Sequence, residues 1–157
     1  MALTPIPRAL LLAGAALGLA LGGLAAPARA QDIGLVKVSK GAVHIERGGQ
    51  QVPAPVGAKV RAADVIVTGA DGSVGILFQD ASLLSAGPNS VLAIDTFAFD
   101  STTNQGSFET SLRSGTLTAV SGKIAKQSPD AMKVRTPATI LGVRGTEFAV
   151  RASGPPY

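Results

Sequence analysis

The chain reads as all-β, with short antiparallel strands arranged in a twisted sheet or a solenoid-like β-coil after an N-terminal signal peptide. Three observations carry that expectation. Turn signals built from Gly, Pro, Asn and Asp recur roughly every 8 to 12 residues after residue 30. The runs between them alternate apolar and polar side chains, and no sustained helical periodicity appears over the same region. Composition agrees: 46% of the residues are hydrophobic but only 4% are aromatic, and 19 are glycine. That mixture suits a thin sheet packed with aliphatic side chains better than an enzyme with a large pocket.

Residues 1–30 are set aside before any fold argument. Arg8 supplies a positive start, Ala9 to Ala26 carries no charge, and Ala28-Arg29-Ala30 is an A-x-A cleavage site, which together describe a secretory leader. The mature protein is expected to begin at Gln31, to form one domain over 31–157, and to be periplasmic or secreted. Retention of the leader as a membrane anchor is the less favoured alternative, because it is barely long enough to span and is diluted by Gly and Ala. No later segment is expected to cross a bilayer. The chain has no Cys, so neither a disulfide nor a lipid-bearing thiol is available and packing alone must hold the fold. Two of the 14 basic residues, Arg8 and Arg29, lie in the leader, leaving twelve against ten acidic ones. So small an excess argues against nucleic acid as a partner. Lys123, Lys126 and Lys133 are the one basic cluster, interrupted by Asp130 and without aromatic rings to stack bases.

Along the mature chain, Ile33 to Val38 and Ala42 to Glu46 are short runs joined by Ser39-Lys40-Gly41, expected to pair as a hairpin. His44 falls on the polar face of the second, and as the single histidine it makes a poor metal centre. Arg47-Gly48-Gly49 is a turn, and Pro53 and Pro55 confine the segment after it to extended or edge conformations. Asp64 to Thr68 is a strand. Gly69 to Gly72 turns, and Val74, Ile76 and Phe78 then alternate with Ser73, Gly75 and Leu77 as the expected centre of the core. Leu83 and Leu84 lead to a turn at Gly87-Pro88-Asn89. In Val91 to Phe99, Leu92 and Ile94 share one parity and Phe97 and Phe99 the other, so a bulge or break is expected near Asp95-Thr96. Phe97 and Phe99 are either an exposed contact surface or core packing, the second being favoured because large side chains are scarce. Ser101 to Ser107 is a hairpin tip. Phe108 to Leu112, Thr116 to Ser121 and Lys133 to Thr136 complete the strands, with turns at Arg113-Ser114-Gly115 and around Ser128-Pro129-Asp130. Gly72-Ser-Val and Asn89-Ser-Val are the two copies of a possible coil repeat.

The least generic stretch is Val134 to Val150. Pro137 should end a strand, Gly142 and Gly145 bracket Val143-Arg144, and Phe148 and Val150 then resume alternation: strand, glycine corner, strand. Arg144 has two readings. It is presented to an acidic partner or phosphate, or its guanidinium caps carbonyls or pairs with a carboxylate inside the domain; the second is favoured because five donors need partners. A phosphate loop does not fit, since no lysine follows Gly145 and no helix pattern follows it.

The parts of an active site are missing from the sequence. There is no cysteine, no Ser-x-x-Lys and no Gly-x-Ser-x-Gly elbow, and His44 is the lone base of matched pKa. Asp80, Asp95 and Asp100 are better explained as turn residues than as an acid–base pair. No catalytic, cofactor-binding or metal-ligating residue is assigned, no cofactor is expected, and the chain is not expected to be an enzyme.

The sequence Val134-Arg-Thr-Pro-Ala followed by Gly142-Val-Arg-Gly-Thr-Glu-Phe resembles the closing signature of FecR domains, carried here by Thr136, Pro137, Gly142, Val143, Arg144, Gly145, Thr146 and Phe148. Upstream, Gly41-Ala-Val-His-Ile, the Gly57 to Val60 turn, Asp64-Val-Ile-Val-Thr-Gly, Gly72-Ser-Val-Gly-Ile-Leu-Phe-Gln-Asp, Gly87-Pro-Asn-Ser and Leu112-Arg-Ser-Gly fall in the order of that family. Asp80-Ala81-Ser82 stands where FecR-like sequences usually show Asp-Gly-Ser, so either the turn differs or Ala81 is strained. The resemblance implies a domain found in the periplasm, within regulators that relay a signal from an outer-membrane TonB-dependent transducer to an extracytoplasmic-function sigma factor. It also implies a further strand after the Phe148 strand. Ser153-Gly154-Pro155-Pro156-Tyr157 does not supply one, so the expectation is a domain short of its last strand, with Val150 on an open edge. A cytoplasmic sigma-binding segment and an internal membrane helix are likewise not seen in the sequence. The expected function is therefore non-enzymatic binding of an envelope protein, either the transducer or an anchored regulator, with Arg144, Phe97, Phe99 and Val150 as candidate contacts. The alternative is a structural or cell-wall-associated β-protein that associates with itself.

Overall fold

A computed structural model of the chain describes residues 30–145 and 147–154. The leader expectation, apart from Ala30, lies outside the described residues, as do Thr146 and residues 155–157. The strands are β1 (Asp32–Lys40), β2 (Val43–Arg47), β3 (Gln50–Pro53), β4 (Lys59–Arg61), β5 (Val65–Thr68), β6 (Ser73–Phe78), β7 (Leu83–Ala86), β8 (Val91–Phe99) and β9 (Gly106–Val120). A one-turn helix α1 (Lys123–Gln127) precedes β10 (Met132–Arg135), β11 (Ile140–Gly142) and β12 (Glu147–Ala152). They form one sheet in the order β3-β2-β5-β8-β9-β7-β6-β1-β4, curled into a half-barrel. The sheet is antiparallel except where β10 runs parallel to β9.

Curling follows from β9, which belongs to both arms. Its first half pairs with β8 and its second with β7. Gly115 lies between them at φ +90, so the residues expected to turn the chain instead bend one continuous strand. A Cβ on Gly115 would lie 2.7 Å from Ser90 Cβ, and Ser90 Oγ accepts the Thr116 N–H at 3.0 Å. The bend is therefore packed against the β8 arm as well as turned by its φ.

The two ends of the sheet are tied to each other. Arg47 on β2 grips the buried Asp64 carboxylate in bidentate fashion, Nε to Oδ1 at 2.8 Å and Nη2 to Oδ2 at 2.7 Å. The same Nη2 donates to the Lys59 carbonyl on β4, and Asp64 Oδ2 accepts the Arg61 N–H. This pairing, chiefly its hydrogen bond, raises the Arg47 pKa above its ordinary value, so the guanidinium stays charged wherever the fold is stable. Such forks fix geometry as well as contribute energy.

The core is one cluster of mostly aliphatic side chains that includes the buried Phe78 and Phe108. Val74, Ile76 and Phe78 are buried as expected. The phase slip in β8 is a bulge: Ile94 pairs with Thr110 and Thr96 with Glu109, leaving Asp95 unopposed. That extra residue turns Leu92, Ile94, Phe97 and Phe99 toward the same side. The Phe97 ring lies 5.0 Å from Phe108 and 5.6 Å from Phe78, so Phe97, half-buried like Phe99, packs against the core.

Three expectations are corrected, and one left open is decided. The hairpin of the first two runs does not form: β1 pairs with β4 and β6, and β2 with β3 and β5. Both runs are apolar enough to suit many partners, and Gly41 at φ +63 redirects the chain between the arms. The two strands expected from Phe108 to Ser121 are one. The helix α1 was not foreseen, since five residues carry too little periodicity to read; it buries Ile124 and Ala125. The Asp80-Ala81-Ser82 turn keeps the geometry glycine prefers, with Ala81 at φ +66. Asp80 stabilises it by accepting the Ser82 N–H at 3.0 Å and the Ser82 hydroxyl at 2.7 Å.

Candidate protein-binding edge

β10 stops at Arg135, two residues before Pro137, as the ring's missing N–H requires. Thr136 builds the adjoining turn. Its Oγ1 accepts the Thr139 N–H at 3.1 Å and its backbone N–H donates to the Thr139 carbonyl at 2.8 Å. β11 then runs back along β10 with Ile140 opposite Arg135. Val143 closes this hairpin, donating its N–H to the Met132 carbonyl at 2.9 Å and burying its side chain. At the glycine corner Gly145 alone takes a positive φ, of 60, while Gly142 is an ordinary strand residue.

β12 leaves the corner and pairs with the second half of β9, from Glu147 opposite Val120 to Ala152 opposite Gly115. Phe148 and Val150 are half-buried against the core, whereas Glu147, Ala149 and Arg151 are exposed. Between corner and strand lies an open groove of about 270 Å³, lined by Leu141, Gly142, Val143, Arg144, Phe148 and Ala149. Ile140, next to Leu141 in β11 but not among the lining residues, is 61% exposed.

Among the described residues β12 has no strand on its other side. Which backbone groups face outward is set by β9. The Thr116 carbonyl accepts the Gly87 N–H at 3.1 Å and so points toward β7. Antiparallel ladders alternate, hence Leu117 and Ala119 face β12, and their partners Val150 and Phe148 use their own N–H and C=O on β9. The backbone groups of Glu147, Ala149 and Arg151 are left pointing away from the sheet.

Of the residues named from the sequence, Gly142, Val143, Arg144 and Phe148 are brought together in this groove, with Val150 along its strand. Thr136, Pro137 and Gly145 shape the turns on either side. Phe97 and Phe99 are not part of it. Arg144 is exposed and makes no hydrogen bond or ion pair to another described residue, so the internal partner of the favoured reading is not found among them, whereas neighbouring Arg135 pairs with Glu109 at 2.9 Å. Leu141 and Ala149 were missed, because an apolar residue in so short a turn gives no periodicity to read. The carboxylates Asp80 and Asp100 are each occupied by their own turn. Asp100 is held below its ordinary pKa mainly by the Thr102 and Thr103 N–H groups. Among the described residues no group of three or more His, Cys, Asp or Glu is placed to hold a metal, and no helix is long and apolar enough to cross a membrane.

A sequence model of the FecR protein family matches residues 64–156, from the buried Asp64 through the whole of the groove and β12. The chain belongs to the FecR family. That family is regulatory rather than enzymatic, and its chemistry is signalling through protein contacts. No curated protein and no solved structure matches the chain.

Proposed function

We propose that this FecR domain is a non-enzymatic binding module of the cell envelope, periplasmic or secreted, that takes up an extended segment of a protein partner along β12. The observation that carries this reading is the β12 edge, unpartnered among the described residues, beside a groove lined by Gly142, Val143, Arg144 and Phe148 of the FecR-like signature. Such an edge supplies backbone donors and acceptors for affinity, while a neighbouring pocket supplies side-chain specificity. Leu141 and Phe148 offer the apolar part of that pocket, and Arg144, without a partner among the described residues, offers a charge for an acidic residue of the partner. By the family's role, the partner is an outer-membrane transducer or an anchored regulator of sigma-factor signalling.

A photoreactive amino acid at Ala149, with Thr102 in the distant hairpin tip as control, tests this in the envelope of cells exporting the chain from its own leader. Crosslinking to a specific transducer or anchored regulator from Ala149 but not from Thr102 is expected. Capture of nothing but the chain itself or peptidoglycan fragments would replace the proposal with a structural role.

A further inference from the structure

The outward margin of β12 is complementary to its own reverse, and we propose that a second copy of the chain closes it by antiparallel β12–β12 pairing about a two-fold axis through Ala149. The strand reads Glu147-Phe-Ala-Val-Arg-Ala. With the axis at Ala149, Glu147 of each copy lies opposite Arg151 of the other, Phe148 lies opposite Val150, and Ala149 meets itself. The outward N–H and C=O groups of Glu147, Ala149 and Arg151 are the set that this register pairs. Faces also agree. The exposed side chains Glu147, Ala149 and Arg151 stay together on one side of the joined sheet, and the half-buried Phe148 and Val150 stay on the other. Moving the axis by half a residue sets Glu147 against Ala152 and Arg151 against Phe148, opposing side chains from different faces, which a pleated pair does not allow. The charges therefore select one register as well as one orientation. This assignment needs no envelope partner; a second copy and such a partner would compete for the same edge.

Sedimentation equilibrium of the full chain tests it. The wild type should show a concentration-dependent monomer–dimer equilibrium. Glu147→Arg and Arg151→Glu should each weaken it by about tenfold or more, since each turns both cross-strand ion pairs into like-charge pairs. The double exchange Glu147→Arg/Arg151→Glu should restore it. Both positions are exposed, and unchanged circular dichroism checks that the variants fold. The register is read separately. The chain has no cysteine, so Ala149→Cys puts the sole thiol on the axis, where opposed Cα atoms about 5.5 Å apart suit a disulfide. Oxidation should link Ala149→Cys into a covalent dimer and leave Glu147→Cys, which lies off the axis, unlinked. A chain monomeric at every concentration, a dimer indifferent to either charge reversal, failure of the double exchange to restore pairing, or equal linking at positions 149 and 147 would each overturn the proposal.

Discussion

At the scale of single residues, the most informative departures are small ones. Ala81 occupies a left-handed conformation that glycine adopts freely, and its neighbours Asp80 and Ser82 hold the turn there through two hydrogen bonds. The sequence showed that something at this position had to give, but not whether the turn or the residue would yield. The buried Asp80–Ser82 contact decides it, because that contact depends on turn geometry and alanine can be forced into it at a cost of the order of 1 kcal/mol. Ala81→Gly is therefore expected to stabilise the domain by about 1 kcal/mol, less whatever the unfolded chain gains in freedom. A urea titration checks this; an unchanged or lowered midpoint at equal slope would mean the alanine is not strained. Arg144 shows the opposite limit. Its bracketing glycines marked it as special, yet nothing in the sequence could reveal that the described carboxylates lie elsewhere and leave its guanidinium unpaired.

At the scale of elements, alternation located most strands to within a residue or two, since a half-buried sheet stamps its period on the sequence. The β8 bulge was legible for the same reason: a change of parity between Ile94 and Phe97 has few physical meanings. Pairing was not legible. β1 and β2 are adjacent in sequence with a glycine between them, which is also what a hairpin looks like, and the difference lies in distant strands that compete for their edges. β9 was misread because Arg113-Ser114-Gly115 carries the chemistry of a turn. The partners change there, from β8 to β7 on one side and from β10 to β12 on the other, while β9 itself runs on, so the glycine is spent on a bend. Gly115→Ala should be among the most damaging small substitutions in the chain. Alanine at φ +90 would be strained, and its Cβ would press on the backbone and side chain of Ser90. A loss of about 3 kcal/mol or more is expected, read from the denaturation midpoint. A loss comparable to that at an exposed strand position would show that the bend tolerates a side chain and that curvature originates elsewhere.

At the scale of the whole molecule, curvature is what creates the candidate site. A straight β9 would carry β10 and β12 far apart along one edge. Bent at Gly115, it lets the few residues from Val143 to Glu147 cross from the end of the β10–β11 hairpin to the far end of β9, leaving a groove between them. The Arg47–Asp64 fork closes the opposite side by tying β2 and β5 to the β4 segment. The two arms therefore share a strand, a tie and one continuous core, and they are expected to unfold together. Native-state amide exchange across a denaturant series measures this directly: Ile66 in β5 and Ile76 in β6, interior strands of different arms, should converge on one opening free energy as the global transition is approached. Separate values persisting to the midpoint would mean that the arms unfold independently. In that case Gly115 would be a hinge between two units, and the groove beside β12 would change shape with their relative motion instead of being held by the fold.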